Sequence, residues 1–128
     1  MKVLFWPYWK ATNEAAGSLE DFLSKLKLRK KYPKLLALAK STVKRAGNPE
    51  GLLALRENGW AAKLRNENDI WEFRIPPRRK GGVLRIYFCL LGAPSESIIC
   101  LDAELKKEVE SSSQKISSAR NRYREIIT

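Results

Sequence analysis

Trp71-Glu72-Phe73-Arg74-Ile75, then a turn over 76–82, then Leu84-Arg85-Ile86-Tyr87-Phe88-Cys89-Leu90 make up the stretch that decides the fold class. In the first run Trp71, Phe73 and Ile75 alternate with Glu72 and Arg74. In the second Leu84, Ile86, Phe88 and Leu90 alternate with Arg85, Tyr87 and Cys89. A period of two sends successive side chains to opposite faces, so both runs read as strands of one hairpin. A loop with Gly92, Pro94 and Ser95 leads to a third apolar run, Ser97 to Leu101. The three together predict an antiparallel meander.

Working outward, residues 2–9 read as a short aromatic strand. Pro7 has no N–H for a ladder, which marks an edge strand or one that stops early. Ser18 is placed to cap a helix, with Asp21 at its third position and Leu19, Phe22, Leu23 and Leu26 at helical spacing. Pro33 suits the first turn of a second helix. Its apolar stripe would be Leu35, Leu38, Ala39 and Val43, and Gly47 with Pro49 would end it. Leu52, Leu53 and Leu55 begin a further short helical turn. Beyond the meander, Ile116, Ala119, Tyr123 and Ile127 mark a closing helix. The expected order is a short N-terminal strand, a two-helix hairpin, an antiparallel β-meander and a C-terminal helix. That is an α+β fold with helices packed on one face of the sheet. The 128 residues, 44% hydrophobic and without repeat or linker, fit one domain over 1–128.

The net charge is +11 and the pI about 9.9, a balance that favours a polyanionic partner. The charge is segregated. No acid lies between Asp21 and Glu50, where Lys25, Lys27, Arg29, Lys30, Lys31, Lys34, Lys40, Lys44 and Arg45 stand. No acid lies between Glu72 and Glu96, where Arg74, Arg78, Arg79, Lys80 and Arg85 stand. Cys89 and Cys100 sit in apolar runs and read as reduced core residues, with a disulfide between them as the weaker alternative. With two cysteines and no histidine, a metal site would lack its usual nitrogen and sulfur ligands, so neither metal nor cofactor is expected. No run approaches the roughly 20 apolar residues of a membrane span, and the N-terminus lacks a signal-peptide pattern. The cytoplasm is the expected location.

If Phe73 and Ile86 face each other on the core side, Arg74 stands opposite Arg85 on the other face. Like charges in that position destabilise a sheet. They fit a clamp for a phosphate, or arginines that snorkel into solvent. Arg78, Arg79 and Lys80 at the hairpin tip suit a nucleic-acid backbone or an ordinary soluble turn. Lys106 and Lys107 are expected at the start of the last helical region, as phosphate contacts or proton donors, or as solvated helix surface. Asp102 and Glu104 are candidate bases. Tyr123 lies on the apolar helix face and reads as core more than as chemistry. Trp6, Trp9, Trp60 and Trp71 suit base stacking but more often fill a small core. No phosphate-binding glycine loop, nucleophile elbow or paired-carboxylate motif is present.

The run from Asp69 to Ile75, the run from Val83 to Phe88, and Leu101 to Lys107 with its paired lysines resemble, in order and spacing, the RelE/HigB family of bacterial toxins. The tail Ala119-Arg120-Asn121-Arg122-Tyr123 is similar to the closing helix of that family. The likeness extends from about Lys2 to Ile127. It implies the toxin of a type II toxin–antitoxin pair that enters the ribosome and cuts mRNA without a metal, helping a 2′-hydroxyl attack the adjacent phosphate. Carried onto this chain, the catalytic set would be Arg74, Arg85, Lys106 and Lys107. Glu104, Asp102 and Tyr123 would be further acid–base groups. Arg78, Arg79, Lys80, Lys30 and Lys31 would bind nucleic acid. The partners would be mRNA on the ribosome and a small helix-turn-helix antitoxin, with no membrane. The chain departs from the family in lacking histidine and in carrying Glu104 near the lysine pair, where phenylalanine is common. ParE-like relatives inhibit gyrase instead, and a non-catalytic basic RNA-binding module is the remaining alternative.

Overall fold

The computed structural model describes residues 2–9, 18–67, 69–77, 83–92, 97–106 and 113–128. The chain begins with β1 (Lys2–Phe5). Two single helical turns, α1 (Leu19–Phe22) and α2 (Leu28–Lys31), follow, with a 3-10 turn at Ser24–Leu26 between them. Then come α3 (Pro33–Ala46), α4 (Pro49–Glu57), β2 (Ala61–Lys63), β3 (Trp71–Ile75), β4 (Val83–Leu91), β5 (Ser97–Lys106) and α5 (Ser113–Ile127). The strands form one sheet in the order β1-β5-β4-β3-β2. β1 runs parallel to β5, and every other neighbour is antiparallel. The fold is α+β with a mixed five-stranded sheet.

The expected meander is present as β3-β4-β5, and its first register is the one the alternation requires: Phe73 pairs with Ile86, and Arg74 with Arg85. Between β4 and β5 the register shifts, so that Tyr87 pairs with Asp102 but Phe88 with Cys100. Leu101 is the extra residue. This bulge lets Cys100 and Ala103, three apart, both face the same core.

Several expectations need correction. β1 stops at Phe5 rather than running to Trp9; Tyr8 N–H bonds back to Phe5 O at 2.8 Å, closing a turn through Pro7. The first helix of the expected hairpin is broken, because Lys27 adopts a left-handed conformation with φ of 54°. The stripe of α3 is rotated. Leu36, Ala39, Thr42, Val43 and Ala46 are buried while Leu38 is exposed. Thr42 satisfies its buried hydroxyl by donating to Leu38 O at 2.8 Å. The short turn near Leu52 is a full helix, α4, capped by Asn48, whose side chain accepts from Glu50 N–H at 2.9 Å. Gly51 permits the tight α3–α4 junction. A Cβ there would stand 2.0 Å from Arg45 O. On α5 the inward residue is Ile126, not Ile127. An added strand, β2, extends the sheet beyond β3.

The largest correction concerns the layers. The helices do not share one face. Phe5, Leu23, Val43, Leu55, Phe73 and Phe88 belong to a core beneath α1 to α4, where the Phe73 and Phe88 rings stack at 4.2 Å. Tyr87, Cys89, Ile99 and Leu101 point the other way, into a second core with Ala119 and Ile126 of α5. Trp60 and Trp71 pack against the first core and Trp6 and Trp9 against the second. No helix among the described residues is long and apolar enough to cross a membrane.

Cys89 and Cys100 occupy opposite faces, and both are free and buried. Burial pushes the Cys89 thiol up to about 12, and Cys100 is raised for the same reason. A thiolate is the reacting form. Native protein at pH 8 is therefore expected to react with neither thiol in an Ellman titration, and with both once unfolded in guanidinium. Rapid modification of the native protein would contradict this packing.

Candidate functional site

β3, β4 and β5 place a block of polar side chains on the face turned away from the Phe73–Ile86 core. Across the strands Glu72 pairs with Tyr87, and Tyr87 with Asp102. In the neighbouring row Arg74 pairs with Arg85, and Arg85 with Glu104. The expected confrontation of two arginines is real, and Glu72 relieves it. Its carboxylate accepts from Arg74 Nε at 2.7 Å and from Arg85 at 3.2 Å. Beside this trio the Tyr87 hydroxyl donates to Glu104 Oε2 at 2.7 Å.

Exposure divides the group. The Glu72 side chain is 1% exposed and that of Arg85 is 7%. Tyr87 and Glu104 are also buried. The Arg74 side chain remains 43% exposed. A buried charge persists only when paired and hydrogen-bonded, and Glu72 supplies that pairing for both guanidiniums. Arg85 thus does not snorkel outward, and Arg74 is the guanidinium of this trio that a ligand reaches most readily.

The other predicted residues distribute as follows. Lys106 ends β5, a correction to its expected place at the start of a helix, and stands two residues beyond Glu104 on the same face. Asp102 also lies on the strand but serves α5. Its Oδ1 accepts from Ala103 N–H at 2.8 Å, and Lys115 and Arg122 each approach the carboxylate at 3.7 Å. Tyr123 packs into the second core, where burial, with Asp69 beside it, raises its phenol above the usual range. Lys30 and Lys31 sit exposed on α2 in the helical layer across the sheet, so they share no surface with Arg74. Lys107, Arg78, Arg79 and Lys80 lie outside the described residues.

Glu72 and Tyr87 were missed as members of the site, although the register that pairs the arginines already places both beside them. Among the described residues no cluster of three His, Cys, Asp or Glu side chains is placed to hold a metal. Comparisons with protein-family models, with curated proteins and with solved structures find no significant match.

Chemically the face offers a reachable guanidinium for a phosphate oxygen. It also offers a phenol–carboxylate pair at proton-transfer distance. Glu72→Ala would leave Arg74 facing Arg85 with no carboxylate between them. Urea unfolding is expected to show a loss of about 3–5 kcal/mol, against about 1–2 kcal/mol for Tyr87→Phe. A Glu72→Ala midpoint equal to wild type would show that the carboxylate does not hold the pair.

Proposed function

We propose that the chain is a RelE/HigB-like toxin that cleaves mRNA on the ribosome, with the Arg74–Arg85 face as its site. The observation that carries the reading is the placement of two arginines, a tyrosine–carboxylate pair and Lys106 on one face of the meander. That set matches the needs of RNA transesterification. A base takes the proton of the 2′-hydroxyl, the oxygen attacks the adjacent phosphorus, and the 5′-oxygen leaves with a proton. Arg74 would meet the phosphate and stabilise the charge that develops on it. Glu104, largely buried and hydrogen-bonded by Tyr87, would accept a proton from the edge of the face, and Lys106 would return one. Arg85, held by Glu72, positions this set rather than contacting RNA. The expected partners are mRNA and a small helix-turn-helix antitoxin that covers the basic surface, in the cytoplasm.

A second reading is favoured by the burial of Glu72 and Arg85. A network so fully internal stabilises a sheet without any ligand. The chain would then act by binding alone, as a ParE-like gyrase inhibitor or a non-catalytic RNA-binding module.

The test is primer extension on a message translated in a cell-free extract, with wild type beside Arg74→Ala. Arg74 is half-exposed, so its removal spares the core. Cuts within translated codons are expected with wild type, reduced at least about 100-fold in the variant, the usual cost of losing one charge-stabilising donor. Intact message with unimpaired translation would end the cleavage reading, and a supercoiling assay with gyrase would then decide between the remaining two.

A further inference from the structure

A second recess lies apart from the arginine face. Where β1 ends and α5 begins, a cleft of about 710 Å³ opens between the turn through Pro7, the start of the helical layer and α5. Its wall includes Asp102 but none of Glu72, Arg74, Arg85, Tyr87 or Glu104. The volume falls in the range of small-ligand sites, roughly 300–1,000 Å³.

Two kinds of side chain meet there. Trp6 and Tyr8 supply aromatic surface, and Tyr8 is 56% exposed at the cleft although it is held in a hydrogen-bonded turn. Lys25, Lys115 and Arg122 supply positive charge. The Arg122 guanidinium is fixed in three ways. It donates to Leu101 O, stands 3.7 Å from Asp102 Oδ2, and lies over the Trp6 ring at 5.6 Å. Asp102 is shared between Arg122 and Lys115. Counting Asp21 as well, the described residues of the lining carry one positive charge in excess, three cations against two carboxylates. A flat aromatic ring beside clustered cations matches a ligand with a planar ring and an attached anion.

We propose that this cleft binds a nucleotide, its base stacked on Tyr8 and its phosphate directed to Lys25 and Lys115. The site is independent of the cleavage chemistry assigned to the sheet face. The nucleotide is either free or one residue of a single strand, because both present the same base and phosphate. Stacking on an aromatic side chain is tolerant of base identity, so little preference among bases follows.

Isothermal titration of the full chain tests this with three probes: AMP, a 2′-deoxy tetranucleotide that cannot undergo 2′-hydroxyl attack, and inorganic phosphate. Tyr8→Ala and Lys25→Ala change exposed side chains and leave both cores intact. AMP is expected to bind, and each variant to weaken it about tenfold, in line with the loss of one stacked base or one phosphate contact. Binding of the tetranucleotide but not of AMP, with the same sensitivity to both variants, also supports the site and makes its ligand a strand. The proposal is overturned if neither nucleotide probe binds, if both variants bind like wild type, or if phosphate matches AMP and Tyr8→Ala has no effect. Oligonucleotide binding that survives both variants would remove this cleft yet leave the sheet-face reading standing, since message cleavage is scored separately.

Discussion

The carboxylate of Glu72, buried between two guanidiniums, is the constraint around which the sheet is organised. Arg74 and Arg85 oppose each other one pair from the turn end of the β3–β4 ladder, and without an acid there the ladder would set like charges together in a poorly solvated place. The same register buries Phe73 against Ile86 on the reverse face. A slip of one residue would turn Phe73 toward the polar block and Glu72 toward the aromatic core, so packing and electrostatics specify one pairing together.

That double specification explains why the centre of the fold was legible in the sequence. The alternation of Trp71 to Ile75 and of Leu84 to Leu90 fixes the faces, and the faces fix the opposition of the arginines. What surrounds them was less legible, for physical reasons. From Leu84 to Cys89 every residue is buried: α5 covers Tyr87 and Cys89 on the face that alternation assigns to solvent, and Arg85 beside them lies against Glu72. A strand covered on both sides loses the polar half of its pattern. Tyr87 and Cys89 were the visible signs of that cover, yet either is compatible with a one-sided sheet. β5 runs on to Lys106 because Ala103 and Leu105 continue the inward series while Asp102, Glu104 and Lys106 take the other face. Short range alone cannot separate that alternation from the start of a charged helix. β2, Ala61-Ala62-Lys63, carries almost no strand propensity and exists because β3 offers it an edge. The break at Lys27 is likewise set by tertiary packing, since Leu23 and Leu28 both enter the core across it.

The segregated charge also resolves into two places. The acid-free stretch after Asp21 forms the outer side of the helical layer, where its lysines and arginines are exposed. Glu20, just before it, takes Lys40 at 3.0 Å and Arg29 at 2.5 Å, tying α1 to α3 and α2. The hydrogen bond from Lys40 lowers the Glu20 carboxyl below its ordinary value despite the opposing effect of desolvation. A carboxyl lowered in the folded state contributes its stability above its unfolded pKa and loses it as pH falls through the folded one. The pair is exposed, so the contribution is small. Arg74 and Lys106 lie across the sheet from this layer. A polyanion that contacts both surfaces has to reach around an edge.

Accessibility then decides what the arginine face is able to do. A transition-state donor works best when it is oriented before the substrate arrives, and burial against Glu72 provides that orientation. A donor also has to reach the oxygen it stabilises. Arg85 meets the first requirement and Arg74 meets both, because one carboxylate fixes its Nε while 43% of its side chain stays open. The paired arginines are therefore not equivalent copies of one function. Arg85 lies buried against Glu72, and under the proposed function Arg74 is the guanidinium that would meet a phosphate.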